Sequence, residues 1–262
     1  MITSTELKSA NRDGVNLAYL DTGSGEPALV FIHGWCCNQA MWAEQTNAFA
    51  PKHRVIAVDL RGMGASDKPD QDYDIDGFGE DMTWLLNEIG LQRPVLIGHS
   101  MGGVVTLNLL RKNPDIARAA VFVDAGIMPF PEEFKPLIAQ MIEGLKSPAH
   151  KDVATNFVKQ FLFRPESPAD LRDEVTASMA TAPQRVMYTA LASTLDPKNC
   201  PAGELAVPSL FIRAASLPMT EGQIAERYPG MEVTTVDAGH FLHMEKPEEF
   251  NALLAKFLDR LA

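Results

Sequence analysis

Residues 94–112 read Pro94-Val95-Leu96-Ile97-Gly98-His99-Ser100-Met101-Gly102-Gly103-Val104-Val105-Thr106-Leu107-Asn108-Leu109-Leu110-Arg111-Lys112. The first five are a short apolar run, and the last nine are an apolar helical stretch. Between them stands Gly98-His99-Ser100-Met101-Gly102, a G-x-S-x-G pattern in strand-turn-helix context. A serine on so tight a turn needs strained backbone angles. Side chains at Gly98 and Gly102 would collide with the neighbouring strand and helix. The turn exposes the Ser100 hydroxyl, and the helix start behind it supplies a positive dipole end.

Outward from this stretch, the same kind of apolar run recurs. Ala28–His33, Arg54–Asp59, Ala119–Asp124, Pro208–Arg213 and Met231–Val236 are short runs rich in Val, Ile, Leu and Phe, and Val15–Leu20 is a further strand. Such runs suit strands covered by helices on both faces. Amphipathic helical stretches lie between them: Asn38–Ala50, Gly77–Ile89, Met101–Lys112 and Pro247–Leu261. The last carries Glu248 and Glu249 in its first turn and Lys256 and Arg260 near its end, an order that complements the helix dipole. Alternating strands and helices predict an α/β fold with a mostly parallel sheet and helices on both faces.

The alternation stops between about residues 126 and 206. That stretch holds several helical segments punctuated by prolines and no convincing strand. It is expected to be a helical cap, or lid, inserted into a core of residues 1–125 and 207–262.

Composition narrows the function classes. With 23 Lys and Arg against 34 Asp and Glu, the net charge is −11, which disfavours nucleic acid and anionic lipid as partners. Three cysteines, Cys36, Cys37 and Cys200, make an odd count without ligand spacing, so zinc is not expected. No run of ~18 apolar residues predicts a membrane span. The N-terminus lacks the basic and apolar regions of a signal peptide. The expectation is a cytoplasmic protein, monomer or homodimer, with a small-molecule substrate.

Four segments in order carry a resemblance. Phe31-Ile32-His33-Gly34-Trp35, Asp59-Leu60-Arg61-Gly62-Met63-Gly64-Ala65-Ser66-Asp67, the Gly98–Gly102 elbow, and Ala238-Gly239-His240-Phe241-Leu242-His243-Met244-Glu245-Lys246-Pro247 resemble motifs of the α/β-hydrolase superfamily. The likeness extends over nearly the whole chain. It implies that Ser100 is the nucleophile and His240 its general base, with backbone N–H groups of Trp35 and Met101 forming an oxyanion hole. His243 is the competing base. Asp59 is read as organising the turn of its own motif.

One position departs from the common pattern. Many relatives carry an aspartate after the seventh strand, where this chain reads Ala214-Ala215-Ser216-Leu217-Pro218. Leu217 stands at the acid's position and cannot orient an imidazole. Asp124, at the end of its strand, is the replacement, since active sites of open α/β sheets lie at the carboxyl ends of strands. Some branches of the superfamily place their acid there, after the sixth strand. The chain order Ser100, Asp124, His240 is also retained. Glu221 and Asp237 are lesser alternatives.

The implied reaction is cleavage of a carboxylic ester or lactone through an acyl-enzyme on Ser100, of carboxylesterase or lactonase type, without metal or organic cofactor. The Phe- and Met-rich insertion favours an apolar or aromatic acyl part. The expected pocket comprises His33, Trp35, His99, Met128, Phe130, Phe134, Phe157 and Phe161. The competing reading of the insertion's apolar residues is lid-to-core packing. Cys36 and Cys37, with no cation nearby in sequence, read as inert buried thiols. Two rival functions remain open: a cofactor-independent dioxygenase of N-heteroaromatic substrates, in which Ser100 only binds, and a non-catalytic ligand receptor, motivated by Leu217. Carbon–halogen cleavage and epoxide opening normally need a carboxylate where Ser100 stands.

Overall fold

The computed structural model describes residues 7–129 and 132–261. Eight strands form one sheet in the order β1-β2-β4-β3-β5-β6-β7-β8. They are β1 Lys8–Arg12, β2 Val15–Thr22, β3 Leu29–Ile32, β4 Val55–Val58, β5 Val95–His99, β6 Ala119–Val123, β7 Ser209–Ala214 and β8 Glu232–Val236. β1 and β2 are antiparallel, and β2 pairs antiparallel with β4. The remaining six strands are mutually parallel.

Side chains of the parallel strands alternate between two packed faces, as a period of two requires. Val30, Ile32, Ile56, Leu96 and Phe122 lie on one face. Leu29, Phe31, Val55, Ile97 and Val121 lie on the other. The second face is closed by Trp42, by Phe49 of α1 (Ala43–Phe49), and by Phe250, Leu254 and Phe257 of α10 (Pro247–Leu258). The first is closed by α2 (Ile75–Glu88) and α3 (Met101–Lys112), with α8 (Glu221–Arg227) contributing Ile224. Phe31 and Phe122 are fully buried; each such side chain contributes roughly 1.5–3 kcal/mol by leaving water.

From β3 the chain crosses to β4 on one side and then returns to β5 on the other. This reversal opens a crevice at the carboxyl ends of β3 and β5, where ligands of open α/β sheets bind.

Between β6 and β7 the described residues hold only helices and turns. α4 (Lys135–Lys146), α5 (His150–Phe157), a π turn (Val158–Leu162), α6 (Ala169–Met179) and α7 (Gln184–Thr194) follow in order. α7 is pinned to the sheet domain: Trp35 Nε1 donates to the Met187 carbonyl at 2.9 Å, and the amides of Tyr73 and Ile75 donate to Thr189 Oγ1 and Ser193 Oγ, both at 3.0 Å. No helix among the described residues is long and apolar enough to cross a membrane.

Two expectations need adjusting. The stretch Asn38–Ala50 is not one helix but a 3₁₀ turn, Gln39–Trp42, followed by α1. α2 begins at Ile75, where Asp74 caps it by accepting from the Gly77 amide at 2.7 Å.

Candidate active site

Ser100 joins β5 to α3 with φ 52° and ψ −117°, a conformation that costs a non-glycine residue about 1–3 kcal/mol. The surrounding backbone holds it there. Its amide donates to the Val123 carbonyl at 3.0 Å, and its carbonyl accepts from the Gly103 amide at 3.0 Å. A Cβ on Gly98 would lie 2.3 Å from the Gly102 carbonyl oxygen, and one on Gly102 would lie 2.2 Å from that of Ile32. Only glycines let the strand and helix approach so closely. The Ser100 hydroxyl makes no capping bond to its own helix.

The loop after β3 runs against this elbow. A Cβ on Gly34 would come within 3.2 Å of Ser100 Cβ. Trp35 is the residue that follows this contact. Among the described residues neither the Trp35 nor the Met101 amide donates to a protein acceptor. A developing oxyanion needs unspent N–H donors of this kind.

Asp124 ends β6 with φ 41° and is buried. One carboxylate oxygen accepts from the Ala214 amide at 2.7 Å, at the end of β7, and the other lies 2.7 Å from His240 Nδ1. A carboxylate only accepts, so Nδ1 carries the proton and Nε2 keeps its lone pair. The His240 ring is partly exposed, 16% by side chain against 2% for Asp124, so the lone pair can meet a substrate while the acid stays dry.

His240 lies in the loop after β8. Its amide donates to the Leu162 carbonyl at 3.1 Å, and its own carbonyl accepts from His99 Nε2 at 2.9 Å. Glu245, in α9 (Leu242–Glu245), accepts from the Gly239 amide at 3.2 Å and from Ser167 Oγ at 2.8 Å. Sequence reasoning missed Leu162, Ser167 and Glu245. The first acts through its backbone, and the Ser167–Glu245 pair spans 78 residues, so only Glu245, inside the histidine motif, left a trace.

The sequence model of the alpha/beta hydrolase fold family matches residues 27–247. The chain belongs to this family. Among its relatives, a haloalkane dehalogenase of Sphingobium indicum is 28% identical over 296 aligned residues, covering 98% of this chain and 96% of the dehalogenase. Among solved structures, a thermophilic esterase from Thermogutta terrifontis superposes with a TM-score of 0.84 at 23% identity, covering 98% and 99% of the two chains. An enol-lactonase from Burkholderia xenovorans gives 0.82 at 19% identity, covering 96% of this chain and all of that one.

Within this alpha/beta hydrolase, the other candidates fall into distinct places. His243 is fully buried against Trp42, with ring centroids 4.2 Å apart, and burial pushes its pKa down to about 3. It is neutral, and a poor proton acceptor, at neutral pH. Asp237 is exposed and paired with Arg164 at 2.5 Å, while Glu221 accepts from Thr235 Oγ1. Asp59 organises its turn, accepting from the amides of Gln39 at 2.7 Å and Ala65 at 2.8 Å.

The expected pocket divides. Trp35 is buried, its ring edge-to-face with Phe157 at a centroid distance of 6.0 Å, and Met128 packs half-buried against the core. His33 does not present itself to a ligand. Its Nε2 accepts from the Leu60 amide at 3.0 Å and its Nδ1 donates to the Gly34 carbonyl at 2.8 Å, so both nitrogens brace loops. Phe134 and Phe161 are 41% and 60% exposed and do not line an enclosed pocket. Phe161 stacks on the outer side of Phe157 at 5.6 Å instead, because residues four apart share one helical face. Phe130 lies outside the described residues.

Cys36 and Cys37 are buried, and desolvation pushes their thiols up, that of Cys37 to about 12. Neither is a thiolate at neutral pH. Among the described residues no group of three or more His, Cys, Asp or Glu is arranged to hold a metal ion.

Proposed function

We propose that this protein is a serine hydrolase that cleaves a carboxylic ester or lactone through an acyl-enzyme on Ser100. The observation that carries the reading is the 2.7 Å contact between His240 Nδ1 and the buried Asp124 carboxylate, beside a serine held on a strained elbow.

Ser100 Oγ attacks the substrate carbonyl carbon as His240 Nε2 takes the hydroxyl proton. The carbonyl oxygen, now anionic, is received by the amides of Trp35 and Met101, each worth about 3–4 kcal/mol in the transition state. The tetrahedral intermediate collapses, the C–O bond to the leaving alcohol breaks, and His240 returns its proton to that oxygen. Water then repeats the sequence on the acyl-enzyme, with His240 as base again, and releases the acid and free Ser100. Asp124 holds the tautomer throughout and offsets the imidazolium charge.

Hydroxyl chemistry separates this reading from that of the dehalogenase relative. Displacing a halide or opening an epoxide with Ser100 would leave an alkyl ether, which water does not cleave. A carboxylate nucleophile would leave a hydrolysable ester. The esterase and enol-lactonase neighbours support the substrate class through their shared fold. Trp35 and Phe157 beside the elbow favour an apolar or aromatic acyl part.

The test is a panel of nitrophenyl esters and lactones of graded acyl size, with burst amplitude measured in the wild type and in Ser100→Ala. A burst near one equivalent in the wild type alone is expected. Turnover unchanged in Ser100→Ala, or reaction only with oxygen present, overturns the reading.

A further inference from the structure

The two peptide groups that flank the elbow connect to the base through a closed circuit. The Ser100 amide donates to the Val123 carbonyl, and Val123 is bonded covalently to Asp124. Asp124 holds the His240 ring, the His240 carbonyl accepts from His99 Nε2, and His99 is bonded covalently to Ser100. Three side chains lie on this ring, and two of them, Asp124 and His240, are the proposed acid and base. The third, His99, belongs to no step of the reaction.

We propose that His99 is a positioning residue: its Nε2–H, donated to the His240 carbonyl, ties the backbone of the base to the residue next to the nucleophile and so fixes their separation.

Several observations converge on this role. The His99 ring is buried, 2% exposed, among rings of His240, Phe241 and His243 at centroid distances of 4.6, 5.1 and 4.7 Å. Such a site would be filled more cheaply by an apolar side chain, because burying an imidazole costs its hydration. Among the described residues only Nε2 of its two nitrogens meets a protein acceptor, and that acceptor is the backbone of the base. A carbonyl oxygen can only accept, so His99 must be the Nε2–H tautomer. Gly34 packs against the other nitrogen, where a Cβ would stand 3.0 Å from Nδ1. Burial and the neighbouring histidines push the His99 pKa well down. The ring next to His240 therefore stays neutral and does not repel the imidazolium formed during turnover. On the far side, the His240 amide is held by the Leu162 carbonyl. The base is thus fixed at both ends of its own residue, once by the insertion and once by the elbow.

The inference rests on the ester-cleaving reading for its rate measurement only. His99→Leu removes the donor at similar volume, whereas the amide of His99→Gln can still reach the carbonyl. Turnover of a nitrophenyl ester should fall by about 10²-fold in kcat with KM little changed in His99→Leu, since a displacement near 1 Å costs that much. His99→Gln should restore kcat toward the wild type. The second readout needs no substrate: the low-field proton resonance of the His240 Nδ1–H facing Asp124 should shift or broaden in His99→Leu and return in His99→Gln. The third needs no variant: ¹⁵N shifts of the resting wild-type protein should report His99 as the Nε2–H tautomer. An Nδ1–H tautomer overturns the proposal even if neither variant folds. So does equal kcat in folded Leu and Gln variants, or an unmoved His240 resonance. If no ester is turned over by the wild type, the reaction assignment fails, and the tautomer and resonance still decide the role of His99.

Discussion

The carboxyl ends of β6 and β7 lie side by side in the sheet, and only one carries a charge to the base. At the end of β6, Asp124 adopts a positive φ and spends one oxygen on the Ala214 amide and the other on His240. At the end of β7, Leu217 offers no acceptor in its side chain, and its carbonyl receives Arg213 Nη2 at 2.6 Å. The two ends are joined by the Ala214 bond, so the strand that lacks an acid steadies the acid of its neighbour. In the proposed triad the carboxylate therefore comes from β6, braced by a backbone donor of β7.

This contrast can be broken or sharpened by substitution. Ser100→Ala sets the floor: ester hydrolysis should fall by about 10⁶-fold, measured as kcat under saturating ester. Asp124→Asn is the direct test of the β6 end. The Asn carbonyl can still accept from Ala214, but its NH₂ then faces His240 Nδ1 and forces the proton onto Nε2. The fold should survive while kcat falls by about 10³–10⁴-fold. Near-normal kcat would place the acid elsewhere.

Beneath both ends, His99, His243 and His33 are neutral in the fold, each with a pKa lowered by burial. The unfolded chain binds protons on these rings below about pH 6.5 and the folded one does not. Stability should therefore drop as pH falls through that value, and His243 alone should contribute about 1.4 kcal/mol per pH unit until about pH 3. Urea midpoints between pH 6 and 4 should decline less steeply in His243→Phe; an unchanged slope would refute the cause. Trp35→Phe loses the bond to Met187 and should cost about 1 kcal/mol in urea unfolding, with the backbone donor of residue 35 intact. The smallest effect is expected at the β7 end, where Leu217→Ala should leave kcat within about threefold, because this side chain offers no acceptor to His240.

How much of this was legible in the sequence depended on where each interaction is made. The central strands could be read because both faces are buried, and runs such as Leu29–Ile32 are apolar throughout. β1 was missed because it is a polar, largely exposed edge strand, KSANR. Its signal lay in the turn: Asp13-Gly14, with φ of 52° and 86°, joins Arg12 to its partner Val15 as a two-residue hairpin loop. α8 was missed too, although Thr220 and Gln223 form a capping box. In the site, Ser100 and His240 lie in local motifs and Asp124 follows an apolar strand run, so these three could be proposed. What holds them could not. The His99–His240 bond spans 141 residues, and the Leu162 contact uses a carbonyl, which leaves no mark on residue type. The apolar content of the insertion suggested a pocket wall, but Phe157 and Phe161 share one face and part ways on exposure, a difference that composition does not encode.

The helices of residues 132–194 leave the sheet from β6 and return to β7, its immediate neighbour. A parallel pair always requires some crossover, so this segment is a loop in topological terms, with both ends rooted at adjacent positions. It is therefore a cassette: a different set of helices, shorter or longer, could be grafted between the same two strands without reordering the sheet. Such a graft would have to supply one thing that the present segment supplies from Leu162, a carbonyl within reach of the His240 amide. The Ser167 hydroxyl on Glu245 is a second such contact from the same segment to the histidine loop.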